Sequence, residues 1–129
     1  MTVKPKELNE QGLIDLAGVK VYIAGPMSGL TGENRPAFFK AADLLNHPSF
    51  NNIVLNPAIL PDGLSQSEYM AICMPMVMMA DTVLMLEGWE HSEGATAEFA
   101  LAKKLGKQVR FTVPPVCPLC RHMMKVAAA

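Results

Sequence analysis

No stretch of this chain approaches the ~18 consecutive apolar residues that cross a bilayer as a helix, so an integral membrane protein of that type is not expected. An excess of one charge sign is also lacking. Eleven Lys and Arg stand against 12 Asp and Glu, a net charge of −1, which argues against the basic surface that nucleic-acid binding needs. Cysteine is scarce: of three in all, Cys73 stands far from Cys117 and Cys120, and no disulfide framework is expected. Aromatic residues make up only 6% of the chain. The opening residues 1–12 are polar and lack the apolar core of a secretion signal. A cytoplasmic protein with no membrane and no nucleic-acid partner is expected, and short acidic or polar metabolites remain possible ligands.

Half of the 129 residues are apolar and 18% are charged, enough for one domain with a real core. Ten methionines are many, and those between Met70 and Met85 are expected to fill gaps in that core. Residues 1–18 read as a polar lead-in, 19–113 as an α/β domain and 114–129 as a tail holding Cys and Met. Val19–Ala24 is an apolar run closed by Gly25-Pro26, which predicts a strand and a turn. Asn34 or Arg35 can cap a helix with Pro36 in its first turn, and Phe38, Ala41, Ala42 and Leu45 give it one apolar face. Ile53–Leu55 predicts a second strand. Ser65 and Glu68 form a capping box for a helix reaching Ala80, kinked or broken at Pro75. Thr82–Leu86 is a third strand, apolar enough for a central parallel position. Ser92 can cap a third helix that ends at Gly106, with Lys103 and Lys104 near its negative end. Gln108–Val113 is the fourth strand. Strictly alternating strands and helices imply a parallel sheet covered on both faces.

In such a sheet ligands sit beyond the carboxyl ends of the strands. Two loops fall there: Gly25-Pro26-Met27-Ser28-Gly29, and Gly88 to Glu98. The first lacks the Lys of a phosphate-binding P-loop and is no GxGxxG, so its weight comes from its place. The second offers Glu98. With Ser92 as the cap, the positive end of the helix lies near that carboxylate and favours the ionised form a nucleophile or general base needs. Taken alone, a glutamate in the early turns of a helix is also an ordinary surface residue. Gly94, Ala95 and Ala97 are small and let a ligand approach the backbone. Ser92, Gly94 and the N–H groups after them form a candidate anion site, or simply an ordinary cap. Tyr22, Tyr69 and Trp89 can stack on a base or sugar, or serve as core. Asp81 is expected to cap or to bond backbone rather than to act in catalysis. Cys117, Cys120 and His122 have the spacing of half a zinc site, to be completed across a dimer or by Cys73. With no second pair in the chain, two reduced thiols are the expectation, and no metal or cofactor is predicted.

Tyr22–Gly29, Asn56-Pro57-Ala58, Glu68-Tyr69-Met70, Ala80-Asp81 and Met85–Ala95 with Glu98 occur here in an order and spacing that resembles the phage and prophage family DUF4406. The resemblance spans about residues 19–113 and places the chain in the nucleoside 2-deoxyribosyltransferase-like superfamily. It implies a flavodoxin- or Rossmann-like three-layer sandwich, with a central parallel sheet of about four to five strands, and a dimer or tetramer. It also implies cleavage of the N-glycosidic bond of a nucleoside or nucleotide, by transfer of the deoxyribosyl group to another base or by hydrolysis of a 5′-monophosphate. Glu98 is then the nucleophile, and Tyr22, Gly25, Pro26, Met27, Ser28, Gly29, Trp89, Ser92 and Gly94 contact the substrate. Ser92 stands where nucleoside transferases carry Asp and monophosphate hydrolases carry Ser, which favours a phosphate there. Cys73 departs from the pattern, since the superfamily usually has Asp at that position. Either Glu87, Glu90 or Glu93 serves as the second acid, or the chain is a catalytically inactive protein that binds or sequesters a nucleotide signal.

Overall fold

The computed structural model describes residues 16–27 and 30–112. Strands β1 (Lys20–Ala24), β2 (Ile53–Leu55), β3 (Thr82–Met85) and β4 (Gln108–Phe111) alternate with helices α1 (Arg35–Leu45), α2 (Gln66–Met79) and α3 (Glu93–Lys104). The strands form one parallel sheet in the order β2-β1-β3-β4. The number of strands, their parallel pairing and the helices on both faces are those the alternation predicts.

Side-chain alternation divides the core in two. Val21 and Ile23 of β1, with Leu84 of β3 and Leu86 just after it, pack under Phe38, Ala41, Ala42 and Leu45 of α1. Tyr22 and Ala24 of β1, with Val83 and Met85 of β3, pack under Cys73 and Val77 of α2 and Ala95 and Ala102 of α3. The result is three layers: α1, the sheet, then α2 with α3. Adjacent β1 and β3 therefore send their outgoing connections to opposite faces. The carboxyl edge between them is the switch point at which open α/β sheets take ligands.

Local signals account for most boundaries. Ser65 Oγ accepts from the Glu68 N–H at 3.1 Å, and Glu68 Oε1 accepts from the Ser65 N–H at 2.8 Å, so the capping box is complete. Asn34 differs from the expectation. It precedes α1, but its side chain makes no cap and donates to the Pro26 carbonyl at 2.9 Å instead. A cap contributes ~1 kcal/mol, whereas burying Phe38 and Leu45 contributes ~1.5–3 kcal/mol each, so packing fixes this helix without it.

Helix α2 runs through Pro75 without a break, so of the kink or break expected there the break does not occur. Pro75 and Ala71, whose carbonyl loses its N–H partner, are both exposed, so water can take that bond. The methionines divide. Met85 is in the core, but Met78 and Met79 are more than half exposed, because α2 is apolar on its outer side as well. No helix among the described residues is long and apolar enough to cross a membrane.

Candidate functional site

A cavity opens at the carboxyl edge of β1. Its described walls include Tyr22, Gly25 and Met27 from β1 and its loop, Glu33 and Phe38 from the approach to α1, and Cys73 from α2. Ser92, Gly94, Ala95 and Glu98 close it from the start of α3. Gln66, Tyr69 and Met70 line it from the first turn of α2. A larger cavity of about 670 Å³ lies on the α1 side, against Pro26, Lys40, Leu44, Glu87 and His91. Size does not decide between them. The smaller one holds the buried titratable cluster, and perturbed groups in a cleft are the stronger sign of chemistry.

Glu98 forms the floor. It is 6% exposed, and one carboxyl oxygen accepts a hydrogen bond from the Tyr22 hydroxyl. Period-2 alternation makes this contact. Tyr22 points to the α3 face because Val21 and Ile23 point to the other. Burial pushes the Glu98 carboxyl up to about 7, and the Tyr22 hydrogen bond pulls it the other way. The expectation of a carboxylate kept ionised by the helix start is thereby corrected. A helix terminus contributes ~0.3–1 kcal/mol, while removing a carboxylate from water costs several kcal/mol, and desolvation wins. Tyr22 itself is held far above the ordinary phenol range, by burial first and then by Glu98 and Cys73. It stays a neutral donor.

Cys73 completes the cluster. Burial raises its thiol, with a smaller upward push from Glu98 against the lowering effect of its hydrogen bond with Tyr22. It is therefore no activated thiolate. The position where the resemblance expects Asp does lie in the cavity, beside the Tyr22–Glu98 pair, but it carries a neutral group.

Ser92 caps α3 as expected, accepting from the Ala95 N–H at 3.1 Å, and it lines the same cavity. A Cβ added to Gly94 would stand 3.5 Å from Met70 Sδ, so the bare backbone there forms part of the wall. Gly25 is needed for another reason as well. A Cβ on it would meet Leu86 Cβ at 2.9 Å, so glycine lets β1 and β3 close together where they leave the sheet. Asp81 bonds backbone as predicted, accepting from the Lys20 N–H at 2.9 Å.

Other candidates lie elsewhere. Pro26 faces the larger cavity. Trp89 stacks at tilted angles on Phe99 and Phe111, with centroids 4.7 and 5.9 Å away, and packs against the core beneath α3 instead of lining the site. Glu87, Glu90 and Glu93 are exposed and do not line the Glu98 cavity. Ser28, Gly29, Cys117, Cys120 and His122 fall outside the described residues. Among the described residues no three His, Cys, Asp or Glu gather as metal ligands.

The sequence reading missed Glu33. It lines the cavity from a turn of three left-handed residues, Gly32, Glu33 and Asn34. Gly32 and Asn34 are the residue types that tolerate this conformation, which was the available signal. Arg35 Nη2 lies 3.5 Å from Glu33, and Arg35 is itself fixed by Asp62 at 2.7 Å and by the Ala58 and Leu60 carbonyls.

The family model described as a domain of unknown function, DUF4406, matches residues 19–111. No curated protein matches the chain.

Proposed function

The chain belongs to the DUF4406 family, and on that premise we propose that it cleaves the N-glycosidic bond of a nucleoside or nucleotide through a covalent intermediate on Glu98. The observation that carries this reading is the Tyr22–Glu98 pair, buried on the floor of a cavity at the switch point of the sheet. In the deprotonated form a Glu98 oxygen attacks the anomeric carbon, the C1′–N bond breaks, and its electron pair leaves on the base. Tyr22 holds the carboxyl in one orientation, leaving its other oxygen for attack. The N–H groups at the start of α3, with Ser92, suit a 5′-phosphate. The motif resemblance supports a place in the nucleoside 2-deoxyribosyltransferase-like superfamily and a phage or prophage setting. The apolar outer side of α2, with Ile72, Met78 and Met79 exposed, supports the homo-oligomer it implies.

The test is base release from a panel of 2′-deoxynucleosides and their 5′-monophosphates, followed by chromatography. Release by the wild type and its loss in Glu98→Ala are expected. Equal release by both would overturn the assignment of Glu98.

A second reading is a receptor that binds a nucleotide without cleaving it. Cys73 favours it, because a neutral thiol stands where a second carboxyl is expected. It predicts saturable nucleotide binding with no base released over hours.

A further inference from the structure

We propose that Glu33 is the general base of the second half of the reaction, taking the proton of the water that cleaves the glycosyl ester on Glu98. This rests on the glycosidase reading above and adds to it a residue, a step and water as acceptor. Of the described residues lining the cavity, Glu33 and Glu98 are the two that carry carboxylates. They differ in depth: Glu98 is 6% exposed, whereas the Glu33 side chain is 44% exposed and stands at the mouth.

Displacement at a sugar carbon places the attacking carboxylate and the departing group on opposite sides of the ring. With Glu98 on the floor, the base leaves towards the mouth, and water then enters from the side where Glu33 stands. Its placement is built into the chain. Glu33 has a φ of 53°, a conformation that costs a residue of its type ~1–2 kcal/mol, whereas Asn34 beside it, at 60°, is of a type that tolerates it. The Asn34 bond to the Pro26 carbonyl and the Arg35 contacts to Glu33, Asp62, Ala58 and Leu60 hold the turn in place. Strain retained at the rim of a site accords with a functional position.

The step balances within the site. The water oxygen bonds to C1′ as its proton passes to a Glu33 oxygen. The bond between C1′ and the Glu98 oxygen breaks, and its electron pair restores the Glu98 carboxylate. Glu33 then loses the proton to solvent. In the first half, the departing base takes its proton from solvent at the open mouth.

The experiment uses the full chain, with Glu33→Gln and Glu33→Ala beside the wild type and Glu98→Ala. Rapid mixing with the best deoxynucleoside or monophosphate substrate follows base release, and intact-protein mass follows the adduct. Both Glu33 variants are expected to release about one equivalent of base in a burst. Steady turnover then drops ~10²–10⁴-fold while the glycosyl adduct accumulates. Azide, which attacks without a general base, is expected to restore turnover of Glu33→Ala as the 2-deoxyribosyl azide and to leave the wild type unchanged. Wild-type turnover in both variants would overturn the role. So would a loss of turnover with neither adduct nor azide response, because a merely structural residue would behave that way. No base release by the wild type would remove the underlying glycosidase reading, and this step with it. Loss only in the Glu33 variants separates the two claims.

Discussion

At the scale of single residues, burial moves one carboxyl group and sets the chemistry open to it. Because the Glu98 carboxyl lies near 7 in the fold, against an ordinary value of 4.5, it is ionised only above about neutral pH. The rate at low substrate is therefore expected to rise with pH through an ionisation near 7, and a profile already flat from pH 5 would contradict it. Tyr22→Phe removes the hydrogen bond that pulls this group down, so the limb should move to higher pH. The same shift is a stability statement. The folded state holds the proton more tightly than the unfolded chain does. This group's contribution is thus fully present below about 4.5, is lost as pH rises towards 7 and is level above it. The loss is about 3 kcal/mol. Urea unfolding at pH 5 and pH 8 should show it, and Glu98→Gln, which cannot titrate, should not. Glu98 and Ser92 were legible in the sequence because a cap and a helix register fix where they stand. Glu33 was not, because its direction depends on three left-handed residues in a row, and no periodicity reports them. Of the two roles open to Trp89 the structure shows the core one, and the sequence could not choose because its partners Phe99 and Phe111 belong to α3 and β4 and meet it only in the fold.

At the scale of elements, the strands and helices followed from alternation and caps, and their ends shifted by a residue or two. At Pro75 a kink or a break was expected, and the break does not occur. Sequence rules judge proline by its lost N–H and cannot tell whether the orphaned carbonyl faces solvent or core. Here Ala71 and Pro75 are exposed, and α2 continues. The helix still bears the cost, so Pro75→Ala should raise stability by up to ~3 kcal/mol, read as a higher urea midpoint. An unchanged midpoint would mean that the local chain has already relaxed around the ring. Gly25→Ala should act the other way. Its Cβ would meet Leu86 Cβ at 2.9 Å, and forcing β1 and β3 apart is expected to cost ~1–3 kcal/mol. A neutral result there would show that the two strand ends separate freely.

At the scale of the whole molecule, the three layers place every described group of the cluster at one edge. Tyr22 comes from β1, Cys73 from α2, Glu98 from α3 and Glu33 from the approach to α1, so four separate segments meet only when the sheet is complete. That convergence explains why composition and spacing reached the fold class and the position of Glu98 but only part of the cavity wall. The outer side of α2 carries the remaining expectation. Met78 and Met79 are 56% and 57% exposed, and a self-association through them should disperse in a Met78→Lys, Met79→Lys double variant. Light scattering that finds a strict monomer in the wild type would contradict it. The central claim, however, is a covalent bond to Glu98. The most direct test is the intact mass of the protein after rapid quenching with a 2′-deoxynucleoside 5′-monophosphate, followed by peptide mapping. An added 2-deoxyribosyl phosphate group is expected on the peptide holding Glu98, absent in Glu98→Gln. Base release with no adduct at any time, or an adduct on another residue, would contradict it.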